Sequence, residues 1–240
     1  SRGLGDVYKR QGYTALDNVD GDLTQQVQVD GEVDWLTPGT YSVTYTVTDG
    51  YENTTTATRT VEVKAVPRPE VVWPEGKVIY LTFDDGPGPY TEQLLDVLDS
   101  YGVKATFFVT NRGYGEMMKE IVDRGHSIGI HTMSHVYERI YASPEAYFAD
   151  LLGMQDVIYQ NTGVKTTLMR FPGGSSNTVS SFNPGIMTRL AKAVTDMGYQ
   201  YFDWNVSSGD AGETTDTDQV AANIINGCTG RKASVVLQHD

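Results

Sequence analysis

Val78-Ile79-Tyr80-Leu81-Thr82-Phe83, followed at once by Asp84-Asp85-Gly86-Pro87, is the stretch on which the reading of this chain turns. An apolar, β-prone run ends in two carboxylates and a Gly-Pro turn, so a strand delivers acidic side chains to its carboxyl end. Further strand candidates follow at 105–110, 127–131, 166–171, 200–206 and 233–239, with helix candidates between them at 91–101, 114–124, 144–160, 184–197 and 217–226. Ser143 before Pro144 and Asn183 before Pro184 read as N-caps with a first-turn proline. Gly102, Gly125, Gly163 and Gly198 stand where helices would end. Strict alternation of strands and helices predicts a parallel α/β architecture. The pattern does not by itself separate an open sheet from a barrel.

Polar residues cluster where these strands finish. After Asp84-Asp85 come His131-Thr132-Met133-Ser134-His135, Arg170-Phe171-Pro172-Gly173-Gly174, Asp203-Trp204 late in the fifth strand, and His239-Asp240. In parallel β/α folds the carboxyl ends of the strands face one way and carry the active site. Separate clusters therefore converge on one rim, which packing alone does not explain.

Upstream the texture differs. Thr40-Tyr41-Ser42-Val43-Thr44-Tyr45-Thr46-Val47-Thr48 alternates with period two, Asp49-Gly50 marks a turn, and 54–63 reads as the next strand. Residues 12–65 are thus expected to form a small β-sandwich. Asp17, Asp20 and Asp22 invite a calcium reading, but the loop lacks a distal Glu, and Asp-Gly makes turns without any ion. Pro67, Pro69 and Pro74 make 66–76 a stiff connector, and 77–240 is the α/β domain. Residues 1–11 fit neither pattern and read as a non-native leader.

Composition sets outer bounds. With 39% hydrophobic residues the 240-residue chain can bury a sizeable core, and no apolar run is long enough to cross a bilayer. A net charge of −13 argues against nucleic-acid binding, which needs clustered Lys and Arg. One cysteine, Cys228, excludes an internal disulfide framework.

The rim residues suggest metal-assisted hydrolysis. His131 and His135 are four apart, which on a helical turn puts both imidazoles on one face, and such pairs bind zinc. Zinc proteases place a general-base Glu between such histidines, whereas Thr-Met-Ser stands here. Of Asp84 and Asp85, one can complete a His-His-Asp metal set and the other can take a proton from water. His126, at the entry of a strand, and Tyr137, Tyr141 and Tyr147 read as packing residues.

The ordered set Thr82-Phe-Asp-Asp-Gly-Pro87, Lys104-Ala-Thr-Phe-Phe-Val109, His131-Thr-Met-Ser-His135, Arg170-Phe-Pro-Gly-Gly174, Asp203-Trp204 and Leu237-Gln-His-Asp240 resembles the polysaccharide deacetylases. That is carbohydrate esterase family 4, with the NodB-homology fold, matched from about residue 78 to 240. The Asp17-Asn-Val-Asp-Gly-Asp22, Pro38-Gly-Thr-Tyr41 and Val43-Thr-Tyr-Thr-Val-Thr-Asp49 segments resemble bacterial Ig-like repeats.

The resemblance implies a distorted (β/α) barrel. It implies Asp84 as general base, oriented by Arg170, and Asp85, His131 and His135 as ligands of a divalent metal, usually Zn2+, with Co2+ another option. It further implies His239 as general acid with Asp203 as its partner, a main-chain N–H at Gly173 for the oxyanion beside Pro172, and Trp204 and Leu237 around the acetyl methyl. Many members carry Tyr where this chain has Gly173, which bears on substrate preference.

The implied reaction is removal of N-acetyl groups from an N-acetylglucosamine polymer, peptidoglycan first and chitin-like material next. Acetylxylan, or a wall-binding protein without catalysis, is the alternative. The expected partner is a polysaccharide, and the expected place is outside a bacterial cell or on its wall, held there through the Ig-like domain. Members of the family carry further chain after the His motif. The catalytic domain is therefore expected to be incomplete at its C-terminus, with an unpaired edge beside His239.

Overall fold

The computed structural model describes residues 12–34, 37–64 and 74–240. The chain divides into two compact units, Ser1–Pro67 and Arg68–Asp240. The expected leader, 1–11, and most of the proline-rich connector lie outside the described residues.

In the first unit, β1 (Leu16–Asp17) pairs with β2 (Gly21–Asp22), and β3 (Gln28–Asp30), β4 (Gly39–Thr48) and β5 (Thr54–Val63) form an antiparallel sheet. Threonine hydroxyls meet across β4 and β5, Thr48 against Thr54 at 2.9 Å and Thr46 against Thr56 at 3.4 Å, the cross-strand pairing that holds such ladders. Leu23 and Val43 are its buried apolar residues among those described. The carboxylates serve turns: Asp17 accepts from the amides of Val19 and Asp20, Asp22 from Thr24, and Asp49 from Tyr51 and Asn53.

The second unit holds seven strands in the order β10-β9-β8-β7-β6-β12-β11, all parallel. They are β6 (Val78–Asp84), β7 (Thr106–Thr110), β8 (Ser127–Thr132), β9 (Leu168–Met169), β10 (Gln200–Tyr201), β11 (Val206–Ser207) and β12 (Ala233–His239). Around them run α1 (Thr91–Ser100), α2 (Gly115–Asp123), α3 (Tyr137–Ile140), α4 (Pro144–Thr162), α5 (Ile186–Asp196) and α6 (Thr217–Cys228). Ser143 caps α4 as expected, its hydroxyl accepting from the Ala146 amide. Gly102, Gly125, Gly163 and Gly198 all adopt positive φ at helix ends.

The outermost strands, β10 and β11, are joined by only residues 202–205. Seven strands laid flat would put these edges roughly 29 Å apart, whereas the five chain links between them reach at most about 18 Å. The sheet must therefore curl towards a barrel, the architecture that the family resemblance implied.

Three expectations need correction. The single strand foreseen at 200–206 is two short strands on opposite edges of the sheet, because the chain crosses the opening of the barrel between them. The edge beside His239 is paired: β12 matches β6 over its whole length, from Ala233↔Val78 to His239↔Asp84, and β11 flanks its other side. Asn183 does not cap a helix. Its side-chain amide donates to the carbonyls of Tyr141 and Ala142, and α5 begins after Gly185.

The core lies between sheet and helices, with Phe107, Phe108, Val109, Ile130, Leu151 and Met169 buried. Gly129 in β8 shows how tight it is: a Cβ there would lie 2.7 Å from Cδ1 of Phe108 and 3.2 Å from the Leu168 carbonyl oxygen. Overpacking of this kind costs about 1–3 kcal/mol. Gly129→Ala is expected to lower the urea unfolding free energy by that amount, and an unchanged midpoint would show that the interior yields.

Candidate active site

Because the strands are parallel, their carboxyl ends assemble one rim, and the sheet register places residues on it. His239 pairs with Asp84 across β12 and β6. The residues expected to act as acid and base thus stand on adjacent strands. Leu237, two residues before His239, lies on the same face of β12 and is buried.

Asp84 is buried and fixed. One carboxylate oxygen accepts from Nη1 of Arg170 at 2.8 Å, and the other lies 3.9 Å from Nε2 of His131. Arg170 is itself inaccessible to solvent. Its Nη1 also donates to the Thr82 hydroxyl at 2.7 Å, its Nε donates to the Phe202 carbonyl at 2.8 Å, and its guanidinium lies 4.4 Å from the Phe108 ring centre. Burial pulls its pKa below the usual arginine value while the Asp84 charge pulls it back. An arginine stays protonated under such opposing pulls, so Asp84 has a permanent cationic partner.

Asp85, His131 and His135 form the second group. Their ligand atoms lie within 4.8 Å of one another, and Oδ1 of Asp85 is 3.5 Å from Nε2 of His131 and 3.3 Å from Nε2 of His135. Nδ1 of His131 is 2.9 Å from the Arg170 carbonyl. A carbonyl only accepts, so that nitrogen carries the proton and Nε2 presents a lone pair. Burial pushes the His131 imidazole below its ordinary pKa, against the pull of Asp84 and Asp85, which favours the neutral form that binds metal. Oδ1 of Asp85 is buried without a hydrogen-bond partner. Such an orphaned carboxylate oxygen beside two imidazole nitrogens is what a divalent cation would satisfy, so these residues fit a metal.

The histidine pair does not sit on a helical turn as its spacing suggested. His131 is in β8 and His135 in the loop that follows, with φ 51°, and Asp85 has φ 71°. Left-handed backbone at two of these three residues is uncommon for non-glycine residues and concentrates at functional sites.

The partner of His239 also differs from the expectation. Nδ1 of His239 is 2.8 Å from one oxygen of Asp210, and the other oxygen accepts from the His239 amide at 2.8 Å. Asp210 raises the histidine above its ordinary pKa against the opposing effect of burial. Burial works to raise Asp210, yet the hydrogen bonds from His239 hold it below the usual carboxylate value. Asp203, expected in that role, instead accepts from the amide and hydroxyl of Ser175. The reason is the split strand: Asp203 precedes β11, whereas Asp210 lies just beyond its carboxyl end. A sequence signal existed in Ser207-Ser208-Gly209-Asp210, a polar strand end like the others.

Asp203 and Trp204 brace the loop after Arg170. A Cβ on Gly174 would lie 3.2 Å from the Trp204 ring and 3.4 Å from Asp203, and with φ 86° any side chain there would also be strained. Trp204 also reaches Arg170, its ring centre 5.6 Å from the guanidinium. The Pro172 carbonyl accepts from the Tyr141 hydroxyl at 2.7 Å, and Gly173 has φ 78°. Tyr137 lies against His135 with ring centres 5.2 Å apart.

Two measurements probe these contacts. Arg170→Met strands Asp84 in the interior and is expected to cost about 3–5 kcal/mol of unfolding free energy. Adding Asp84→Asn should restore part of that loss, and strict additivity in the double-mutant cycle would count against the pair. In Asp210→Asn, the NMR titration of His239 is expected to move down, since its largest raising cause is lost and burial is then opposed only by the charges of Asp84 and Asp85. An unmoved titration would reject Asp210 as its cause.

Comparison with known proteins agrees with this geometry. Residues 73–202 match the family model for polysaccharide deacetylases, and residues 3–63 match that for the Ig-like domain of bacterial surface proteins. A peptidoglycan-N-acetylglucosamine deacetylase of Bacillus cereus is 33% identical over 174 residues, covering 69% of this chain and 60% of that protein. The chain therefore spans less than two thirds of that relative's length. The crystal structure of the catalytic domain of peptidoglycan N-acetylglucosamine deacetylase from Eubacterium rectale superposes with TM-score 0.69 at 54% identity, covering 71% of this chain and 80% of that one. The Bacillus cereus polysaccharide deacetylase Bc1974 gives TM-score 0.59 at 32% identity, covering 68% and 79%. With its curled parallel sheet and its rim of Asp84, Asp85, His131, His135, Arg170 and His239, this chain belongs to the polysaccharide deacetylase family, preceded by a bacterial surface Ig-like domain.

Proposed function

We propose that the second unit hydrolyses N-acetyl groups on an N-acetylglucosamine-containing polysaccharide, peptidoglycan in the first place. The observation that carries this reading is the set Asp85, His131 and His135, with its orphaned carboxylate oxygen, lying beside an arginine-held carboxylate and a carboxylate-held histidine. When bound there, a divalent metal, zinc first and cobalt as an alternative, supplies Lewis acidity toward a carbonyl and lowers the pKa of water.

The chain's own groups perform the rest. Asp84, oriented by Arg170, takes a proton from the attacking water. His239, kept charged by Asp210, gives a proton to the departing sugar amine, which leaves poorly without one. A main-chain N–H at Gly173 would meet the oxyanion, with Pro172 shaping its turn. Leu237 and Trp204 give apolar surface near the acetyl methyl. Asp203 takes a bracing role through Ser175 rather than a proton-transfer role.

Peptidoglycan is favoured because two of the similar proteins bear that activity in their names and because an Ig-like domain of bacterial surface proteins precedes the catalytic unit. The same two facts favour a location outside the cell or on its wall, with the Ig-like domain as its contact or spacer there.

The test is acetate release from peptidoglycan, N-acetylglucosamine oligomers and acetylxylan, with and without added zinc. Chelator-sensitive release from the first two is expected. Asp84→Asn should lower kcat by about 10²–10⁴-fold, the usual worth of a general base. Release from acetylxylan alone would reassign the substrate, and no release by zinc-loaded protein would leave a binding role. In Asp210→Asn, the alkaline limb of the pH profile should move to lower pH, because a less supported His239 loses its proton sooner. An unmoved limb would remove His239 as the acid.

A further inference from the structure

We infer that Asp150, on α4 outside the metal set and outside the motifs read from the sequence, is the positioning residue that fixes the spacing of His131 and His135 and so sets metal affinity. The inference rests on the metal-site reading above. Asp150 accepts four hydrogen bonds from three consecutive residues between the two histidines. One carboxylate oxygen takes the Thr132 hydroxyl at 2.6 Å and the Met133 amide at 2.7 Å. The other takes the Ser134 hydroxyl at 2.8 Å and the Ser134 amide at 3.1 Å.

A carboxylate has about four acceptor positions, and all of these are used by the loop. None of the four donors is a cation, so the contact is neither an ion pair nor a solvated surface charge. It does for this loop what a capping residue does for a helix start: it satisfies amides that the turn leaves without partners. Thr132 carries the hold one step further, since its hydroxyl oxygen also accepts from the His135 amide at 3.3 Å. Asp150 is therefore linked through one hydroxyl to the residue held at φ 51°. One turn further along α4, Gly153 faces Met133, whose Cγ would be in ordinary contact, 3.5 Å from a Cβ there.

Ion binding needs both Nε2 atoms close to Oδ1 of Asp85, and a loop with left-handed backbone at its last residue does not hold that arrangement unaided. Asp150→Asn keeps the size of the side chain but turns acceptor positions into N–H donors that face the loop's own N–H and O–H groups. Support beyond the ligands typically changes metal affinity about 10–100-fold. Wild type and Asp150→Asn should be stripped of metal, titrated with zinc against a chelating indicator, and loaded with cobalt for visible absorption.

The expected result is zinc affinity at least about tenfold weaker in Asp150→Asn, with a changed cobalt spectrum and a similar unfolding midpoint for the two metal-free proteins. Ser134→Ala, which removes one of the four bonds, should move affinity the same way by less, and it decides the matter if Asp150→Asn does not fold. Equal zinc affinity and an unchanged cobalt spectrum in the folded variants would overturn the role of Asp150 while leaving the metal site standing. A wild-type chain that binds no zinc would overturn both.

Discussion

The buried pair between Arg170 and Asp84 constrains everything around it. A guanidinium without solvent access needs its charge answered and its N–H groups accepted, or the fold loses several kcal/mol. Asp84 answers the charge, and Nη1 and Nε are accepted by Asp84 and Thr82 on β6 and by the Phe202 carbonyl where the chain crosses from β10 to β11. The face of Phe108 on β7 covers the guanidinium, and Nη2 alone is buried without a hydrogen-bond partner. The Arg170 carbonyl orients His131 through Nδ1. One arginine therefore ties the crossing segment of the barrel to the strand that carries Asp84, and its carbonyl sets the tautomer of His131. Its neighbours are crowded enough that a methyl group on Gly129 would press Phe108 out of place.

The rim loops repeat one device. Asp210 accepts the His239 amide, Asp203 the Ser175 amide, and Asp150 the amides of Met133 and Ser134. In each case a carboxylate from another part of the chain takes main-chain N–H groups that a strand end or an irregular loop leaves unmatched. Charge-assisted bonds of this kind are stronger than neutral ones. Part of the chain's strongly acidic balance thus works inside the structure as acceptors, which a count of net charge cannot reveal.

What was legible in the sequence followed from local chemistry. Apolar runs ending in polar clusters located β6, β8 and β12 with the polar residues at their ends, and Ser143-Pro144 marked the start of α4. What was not legible depended on tertiary closure. Residues 200–206 have one continuous strand-like texture, and only the need to bridge the two sheet edges breaks them into β10 and β11. That break moved the partner of His239 from Asp203 to Asp210. Likewise Asp150 lies within an ordinary-looking helix, and nothing in its neighbours says that a loop 16 to 18 residues earlier will dock on it. The four-residue histidine spacing suggested a helical turn, whereas the same spacing is met by a strand end and a left-handed loop.

The charges of the site form separate balanced pairs. Asp84 is answered by Arg170, and a protonated His239 by Asp210. The other two rim carboxylates are tied to neutral donors, Asp203 to Ser175 and Asp240 to the Thr91 hydroxyl. Burial raises the Asp240 pKa, although the Thr91 hydroxyl favours its charged form. On the proposed reading, a divalent cation held by Asp85, His131 and His135 would supply positive charge to an oxyanion. Asp84 and His239 would exchange protons beside Arg170 and Asp210, partners that do not titrate near neutral pH. Each transfer would therefore occur next to a charge that stays in place throughout.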